Sequence, residues 1–177
     1  MYTQEQLNQW LLEEQDQLSK LGIPVSKEIC PDIAFSKATS WYGKCQQNRS
    51  KQAQPYKFRI SISLYHLKSS ERAIRNTLIH ELLHTCPGCF NHGAKWKKYA
   101  QVVQRELGYD IVRCGGDKDK ESPLAQARQE RLSRYKTQYV LTCTKCGAEF
   151  VRVRKSNLVL HPENYRCRCG GVIERKK

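Results

Sequence analysis

The chain has 177 residues, 31 Lys and Arg against 17 Asp and Glu, and nine cysteines, for a formal net charge of +14. That length suits one domain of ordinary size with a small appendage, able to bury a core without disulfides. No segment is long and apolar enough for a membrane helix, and MYTQEQLNQWLLEEQDQ lacks the basic start and apolar stretch of a signal peptide, so a soluble cytoplasmic protein is expected, nucleoid-associated if bacterial.

In chain order, Thr3 and Gln6 form a capping box ahead of Leu7, Trp10, Leu11, Leu18 and Leu21, and Gly22 and Pro24 close the run; a helix of about 18 residues is predicted. Two strands are expected around 29–35 and 40–46. After the polar loop NRSKQAQP, KFRISISLY alternates like a half-buried strand, so the middle of the chain reads as a small sheet. Ser69, Ser70 and Glu71 then start a helix whose apolar face is Ile74, Leu78, Ile79, Leu82 and Leu83. Pro87 is expected to end it, because proline disfavours helical geometry at the residue before it. Trp96, Tyr99, Ala100, Val103 and Leu107 recur at helical spacing over 94–107, with Gly108 at the C-terminal position.

The stretch HELLHTCPGCFNHGAKW, residues 80–96, carries the chemistry. Four positions apart on a helix, His80 and His84 present two imidazoles to one cation. Glu81 lies about 100 degrees around from His80, placed to reach a water on the metal without ligating it. This is the HExxH arrangement, in which zinc lowers the pKa of a water and the glutamate takes its proton. A catalytic zinc needs a third protein ligand, and His92 is the candidate, since Pro87 and Gly88 can turn the chain back and Gly93 relaxes the backbone. Tyr65, His66 and Tyr99 are candidates for stabilising an oxyanion, each equally explicable by packing. Cys86 and Cys89 keep three readings: reduced thiols packed beneath the loop, a CxxC disulfide under oxidation, or a thiolate that blocks the zinc's open position. Cys30, Cys45 and Cys114 are isolated and read as buried small hydrophobes.

Residues 115–137 are charged and poor in apolar side chains, a linker with a short helix near 124–134. Beyond it, Cys143 and Cys146 form one knuckle and Cys167 and Cys169 another, each pair followed by glycine, as in a closed tetrahedral structural zinc site. The second knuckle is CxC where CxxC is usual, so His161 is kept as a substitute ligand. Residues 113–177 hold 16 Lys and Arg against 7 Asp and Glu, a net +9, leaving +5 for residues 1–112. Arg152, Arg154, Lys155, Arg166 and Arg168, joined by Arg175, Lys176 and Lys177, with Phe150 and Tyr165 among them, suit single-stranded or distorted DNA, although both aromatics can equally pack a small core.

NTLIHELLHTCPGCFNHGAKWKKYA resembles the SprT-like zinc metallopeptidases, with HExxH on a helix and a His-Gly a short loop later. SWYGKC and FRISISLYHL are similar to the family's paired strands, and the late cysteines to a C-terminal zinc ribbon. The resemblance implies His80, His84 and His92 as zinc ligands and Glu81 as general base. It further implies an endopeptidase of the Spartan type, which degrades proteins covalently trapped on DNA in crosslink repair. An extended substrate would then pair along the edge of the FRISISLY strand.

The expected architecture is α+β: a zincin-like, helix-rich metallopeptidase domain on a small β-sheet over 1–114, a linker over 115–137 and a zinc ribbon over 138–177. The expected cofactors are one catalytic and one structural zinc, the partners a protein substrate and DNA, the state a monomer away from membranes. The alternative is a non-catalytic zinc-containing nucleic-acid-binding protein whose HExxH zinc is structural or latent. A fourth protein ligand on that zinc, such as Cys86 or Cys89, would favour it.

Overall fold

Thr3 opens the first helix as its capping box predicts. In the computed structural model, which describes residues 2–48, 55–111, 122–135 and 139–176, α1 spans Gln4–Lys20. The Gln6 N–H donates to Thr3 Oγ1 at 3.2 Å, and the Thr3 N–H donates to Gln6 Oε1 at 2.9 Å. The buried face of α1, with Leu7, Leu11 and Leu18, packs on α2, Glu71–Leu83. Glu14 lies on that face with no exposed surface, and Arg75 of α2 meets it at 2.8 Å. The same guanidinium holds Glu13 at 2.8 Å and Glu71 at 2.7 Å and lies 4.8 Å from the Trp10 ring centroid. A buried carboxylate is tolerated when paired, so this one cation clamps α1 to the helix that carries His80 and Glu81.

Three strands, β1 (Ala34–Ser36), β2 (Gly43–Gln47) and β3 (Phe58–Ser63), form a sheet in the order β1-β3-β2. β1 runs parallel to β3, Ala34 opposite Ser61, and β2 runs antiparallel to it, Cys45 opposite Ile60. Two expectations change here. The strand expected over 29–35 shrinks to β1 and a single bridge from Ile29 to Phe58, because Pro31 has no N–H to give the ladder. The FRISIS strand is central and paired on both sides, so it offers no edge to a substrate, and it is not half-buried either. Ser61 and Ser63 are buried, and Ser63 Oγ donates to the Ala38 carbonyl at 2.7 Å beneath the chain that covers that face.

Ser70 caps α2, its Oγ accepting from the Ala73 N–H at 3.3 Å. The helix ends at Leu83, earlier than Pro87 alone implies. The Thr85 and Cys86 N–H groups bond three residues back, to the Leu82 and Leu83 carbonyls at 2.9 and 3.3 Å, so the turn tightens before the proline is reached. α3 spans Ala94–Leu107 and stops at Gly108, whose φ of 69° is left-handed. Ile60, Ile62, Leu78, Leu82, Trp96 and Val103 join α1 in one core.

α4 covers Pro123–Ser133, the short helix expected within residues 115–137. Cys114 and the linker residues 115–121 and 136–137 lie outside the described residues. The chain divides into two compact units, Met1–Ala127 and Arg128–Lys177. The second holds β4 (Tyr139–Cys143), β5 (Glu149–Arg152), β6 (Ile173–Arg175) and α5 (Asn157–Leu160), with antiparallel strands in the order β5-β4-β6. The fold is α+β.

Candidate metal centres

His80 lies in the last turn of α2, and His84, its C-cap, keeps helical backbone angles, so both rings stay on one side of the helix. Cys89 N–H bonds to the Cys86 carbonyl at 3.0 Å across Pro87 and Gly88, the latter at φ 77°, and this tight turn reverses the chain. Asn91 Oδ1 accepts from the Gly93 N–H at 3.2 Å and closes the loop beside His92. His92 Nε2 and His80 Nε2 come within 3.0 Å, and the ligand atoms of His80, His84 and His92 all lie within 4.8 Å of one another. A tetrahedral zinc would space its nitrogens about 3.3 Å apart, so the three imidazoles fit such an ion.

The tautomer of His84 supports the same fit. Its Nδ1 is 2.9 Å from the Cys89 carbonyl, which can only accept, so Nδ1 carries the proton and the Nε2 lone pair is available to a metal. Burial lowers the His84 pKa, and the hydrogen bond to the Cys89 carbonyl works the other way. Trp96 is the residue that sequence reasoning missed here. Helical spacing marks it as core, yet its ring lies 4.8, 5.7 and 4.6 Å from those of His80, His84 and His92 and forms a floor under all three.

Glu81, one residue from His80, is 6 % exposed. Burial pushes its carboxyl up to about 7, opposed by a hydrogen bond from the Cys45 N–H. Of the three oxyanion candidates, His66 is buried, and both its ring nitrogens are engaged, Nδ1 with Ser69 at 3.0 Å and Nε2 with Thr77 at 2.9 Å. Tyr99 packs against the core. Cys30 and Cys45 are buried as expected. Cys86 and Cys89 are free thiols inside the core, and burial drives Cys86 up to about 12 and raises Cys89. Neither belongs to the histidine cluster.

In the second unit, the ligand atoms of Cys143, Cys146, Cys167 and Cys169 cluster within 4.8 Å. Sulfur pairs stand 3.5 Å apart for Cys143 and Cys169 and 3.6 Å apart for Cys146 and Cys167. These separations are far beyond a disulfide bond and near the roughly 3.8 Å edge of a four-thiolate zinc tetrahedron. The shortened CxC knuckle closes because two glycines follow it. Gly170 takes φ 80°, and a Cβ on Gly171 would meet Cys143 Sγ and Lys145 Cβ, each at 2.6 Å. His161 lies outside the cluster, 60 % exposed and 3.3 Å from Glu163.

Arg154, Lys155, Arg168 and Tyr165 are exposed. Arg166 spends one nitrogen on the Glu163 and Tyr165 carbonyls, and Arg152 donates to the Val151 carbonyl. Phe150 packs on the small core, Arg175 lies over the Tyr139 ring, and Lys176 pairs with Glu149.

An α+β unit in which an HExxH helix brings a buried glutamate beside three convergent imidazoles is metallopeptidase-like in class. The model described as the SprT-like family matches residues 5–115, well over half of the chain, and the chain belongs to that family. The match takes in the whole histidine centre and ends before the late cysteines. No curated protein and no solved structure matches the chain. No helix among the described residues is long and apolar enough to cross a membrane.

Proposed function

We propose that this protein is a zinc-dependent endopeptidase that acts on DNA-associated or DNA-crosslinked proteins. The observation that carries this reading is the three-histidine cluster beside Glu81, with no fourth protein ligand in it among the described residues. That donor set suits zinc with one position left for water or substrate. Cys86 and Cys89, the thiols that could have filled that position, lie outside the cluster, which speaks against a latent or structural zinc.

His80, His84 and His92 would hold the ion, which supplies Lewis-acid polarisation of a water and of the scissile carbonyl when bound. Glu81 accepts the proton of the attacking water and returns one to the leaving amine. Its buried setting brings the carboxyl near neutral pH, where a group of this kind both takes and gives a proton readily. Cys143, Cys146, Cys167 and Cys169 would hold a second, structural zinc. Around it, exposed Arg154, Lys155 and Arg168, with Arg152 and Arg166, would neutralise phosphates while Tyr165 stacks on a base.

The test is cleavage by the zinc-loaded protein of one substrate protein presented free and bound to single-stranded DNA. Cleavage of both, faster on DNA and with a gain that fades as salt rises, is expected. Cleavage of neither removes the peptidase reading, and equal rates remove the DNA part of it.

A further inference from the structure

Gly43 lies where β2 meets α2. A Cβ at this position would stand 2.5 Å from Thr77 Cγ2, 3.0 Å from Glu81 Cγ and 3.1 Å from Glu81 Oε1. Its φ is not positive, so close approach and not backbone conformation is what asks for glycine here. The register explains what the approach achieves. Ser63 N–H bonds to the Tyr42 carbonyl and Asn48 N–H to the Lys57 carbonyl, so the antiparallel alternation turns the N–H groups of Gly43 and Cys45 away from β3. The Cys45 N–H is spent on the Glu81 carboxylate instead.

The helix face beneath Gly43 is itself pinned. Thr77 Oγ1 donates to the Ala73 carbonyl at 3.1 Å and accepts from His66 Nε2 at 2.9 Å, and His66 Nδ1 accepts from the Ser69 hydroxyl at 3.0 Å. The Tyr42 ring meets the His66 ring edge-on at 4.8 Å. Thr77 therefore cannot rotate away to admit a side chain at Gly43 without breaking these part-buried hydrogen bonds.

We propose that Gly43 is a positioning residue for Glu81: its missing side chain lets the β2 main chain close on α2, and the Cys45 N–H then fixes the direction of the carboxylate. The consequence for turnover rests on the peptidase reading, whereas the geometry does not. The experiment uses the full chain, zinc-loaded, as Gly43→Ala and as Gly43→Ala with Thr77→Ser. The serine keeps the hydroxyl that His66 needs and removes the methyl nearest to the new Cβ. We expect Gly43→Ala to lower kcat about 10- to 100-fold with KM and metal content little changed, and the double variant to recover much of that loss. The Cys45 amide resonance should move in Gly43→Ala in the same sense as in Glu81→Gln, and return in the double variant.

An unaltered kcat with an unaltered Cys45 resonance in Gly43→Ala overturns the proposal, as does failure of Thr77→Ser to restore either. If Gly43→Ala does not fold, a Cys45 amide indifferent to Glu81→Gln overturns it alone. Should the wild-type protein cleave nothing, the resonance still decides the positioning claim while the peptidase reading falls separately.

Discussion

Take the three imidazoles away from the first unit and a core of α1, α2, α3 and β3 side chains remains around Leu7, Ile60, Leu78 and Val103. Take the four sulfurs away from the second and its core is reduced to Leu141, Val159 and Ile173 with a few partly exposed neighbours. The first unit can therefore hold its histidines in place before any metal arrives, with Trp96 and the Cys89 carbonyl fixing the rings. The second has too little apolar surface to close without an ion. A centre whose protein is stable without it is free to leave a coordination position open, and a centre that replaces a core uses all four.

The largest effect that would break this contrast is metal removal. A strong chelator, or Cys167→Ser, should unfold residues 139–176 altogether, while amides of Leu78 and Ile60 stay protected from hydrogen exchange. Loss of protection in both units together would mean that the first also depends on metal for its fold.

Next in size is Trp96→Ala. Trp96 is 2 % exposed and touches all three histidine rings. The substitution should cost the first unit about 3–5 kcal/mol in metal-free denaturant unfolding and leave the second unit's transition where it was. A loss below about 1 kcal/mol would show that the histidine floor is not part of the core.

Acid should separate the units more gently. Burial lowers the His66 pKa from 6.5 to about 4. A cation disfavoured in the folded state gives stability that is complete above pH 6.5 and is lost as pH falls toward 4, by about 3 kcal/mol in all. His66→Gln should flatten this part of the first unit's pH profile. The same acid slope in the variant would assign the effect to another group.

Local features of both units were legible in the sequence. The capping box at Thr3, the helical spacing of His80 and His84, and the thiol knuckles each need only a few neighbouring residues to be recognised. Long-range partnership was not. β3 reads as half-buried because alternation says nothing about how many strands flank it, and its central place depends on pairing with residues 11 to 19 positions away on one side and 27 on the other. Gly43 falls inside the strand expected around 40–46, and its role shows only when Thr77 and Glu81 are seen against it. Trp96 is placed correctly in the core by its spacing, but its task beneath the imidazoles appears only when the CPGC turn folds His92 back over α3. The CxC knuckle suggested strain and a role for His161. The GlyGly beside it was the local sign that the turn could close on four sulfurs.

The central claim is that Glu81 acts on a water at a three-histidine zinc site. It is tested most directly by Glu81→Gln in the full chain, with bound zinc counted by elemental analysis and cleavage of a DNA-bound protein followed in the same samples. We expect two zinc ions per chain in both proteins and a loss of cleavage of about 10³-fold in the variant. Cleavage at the wild-type rate by Glu81→Gln, with both zinc ions still bound, would contradict the account.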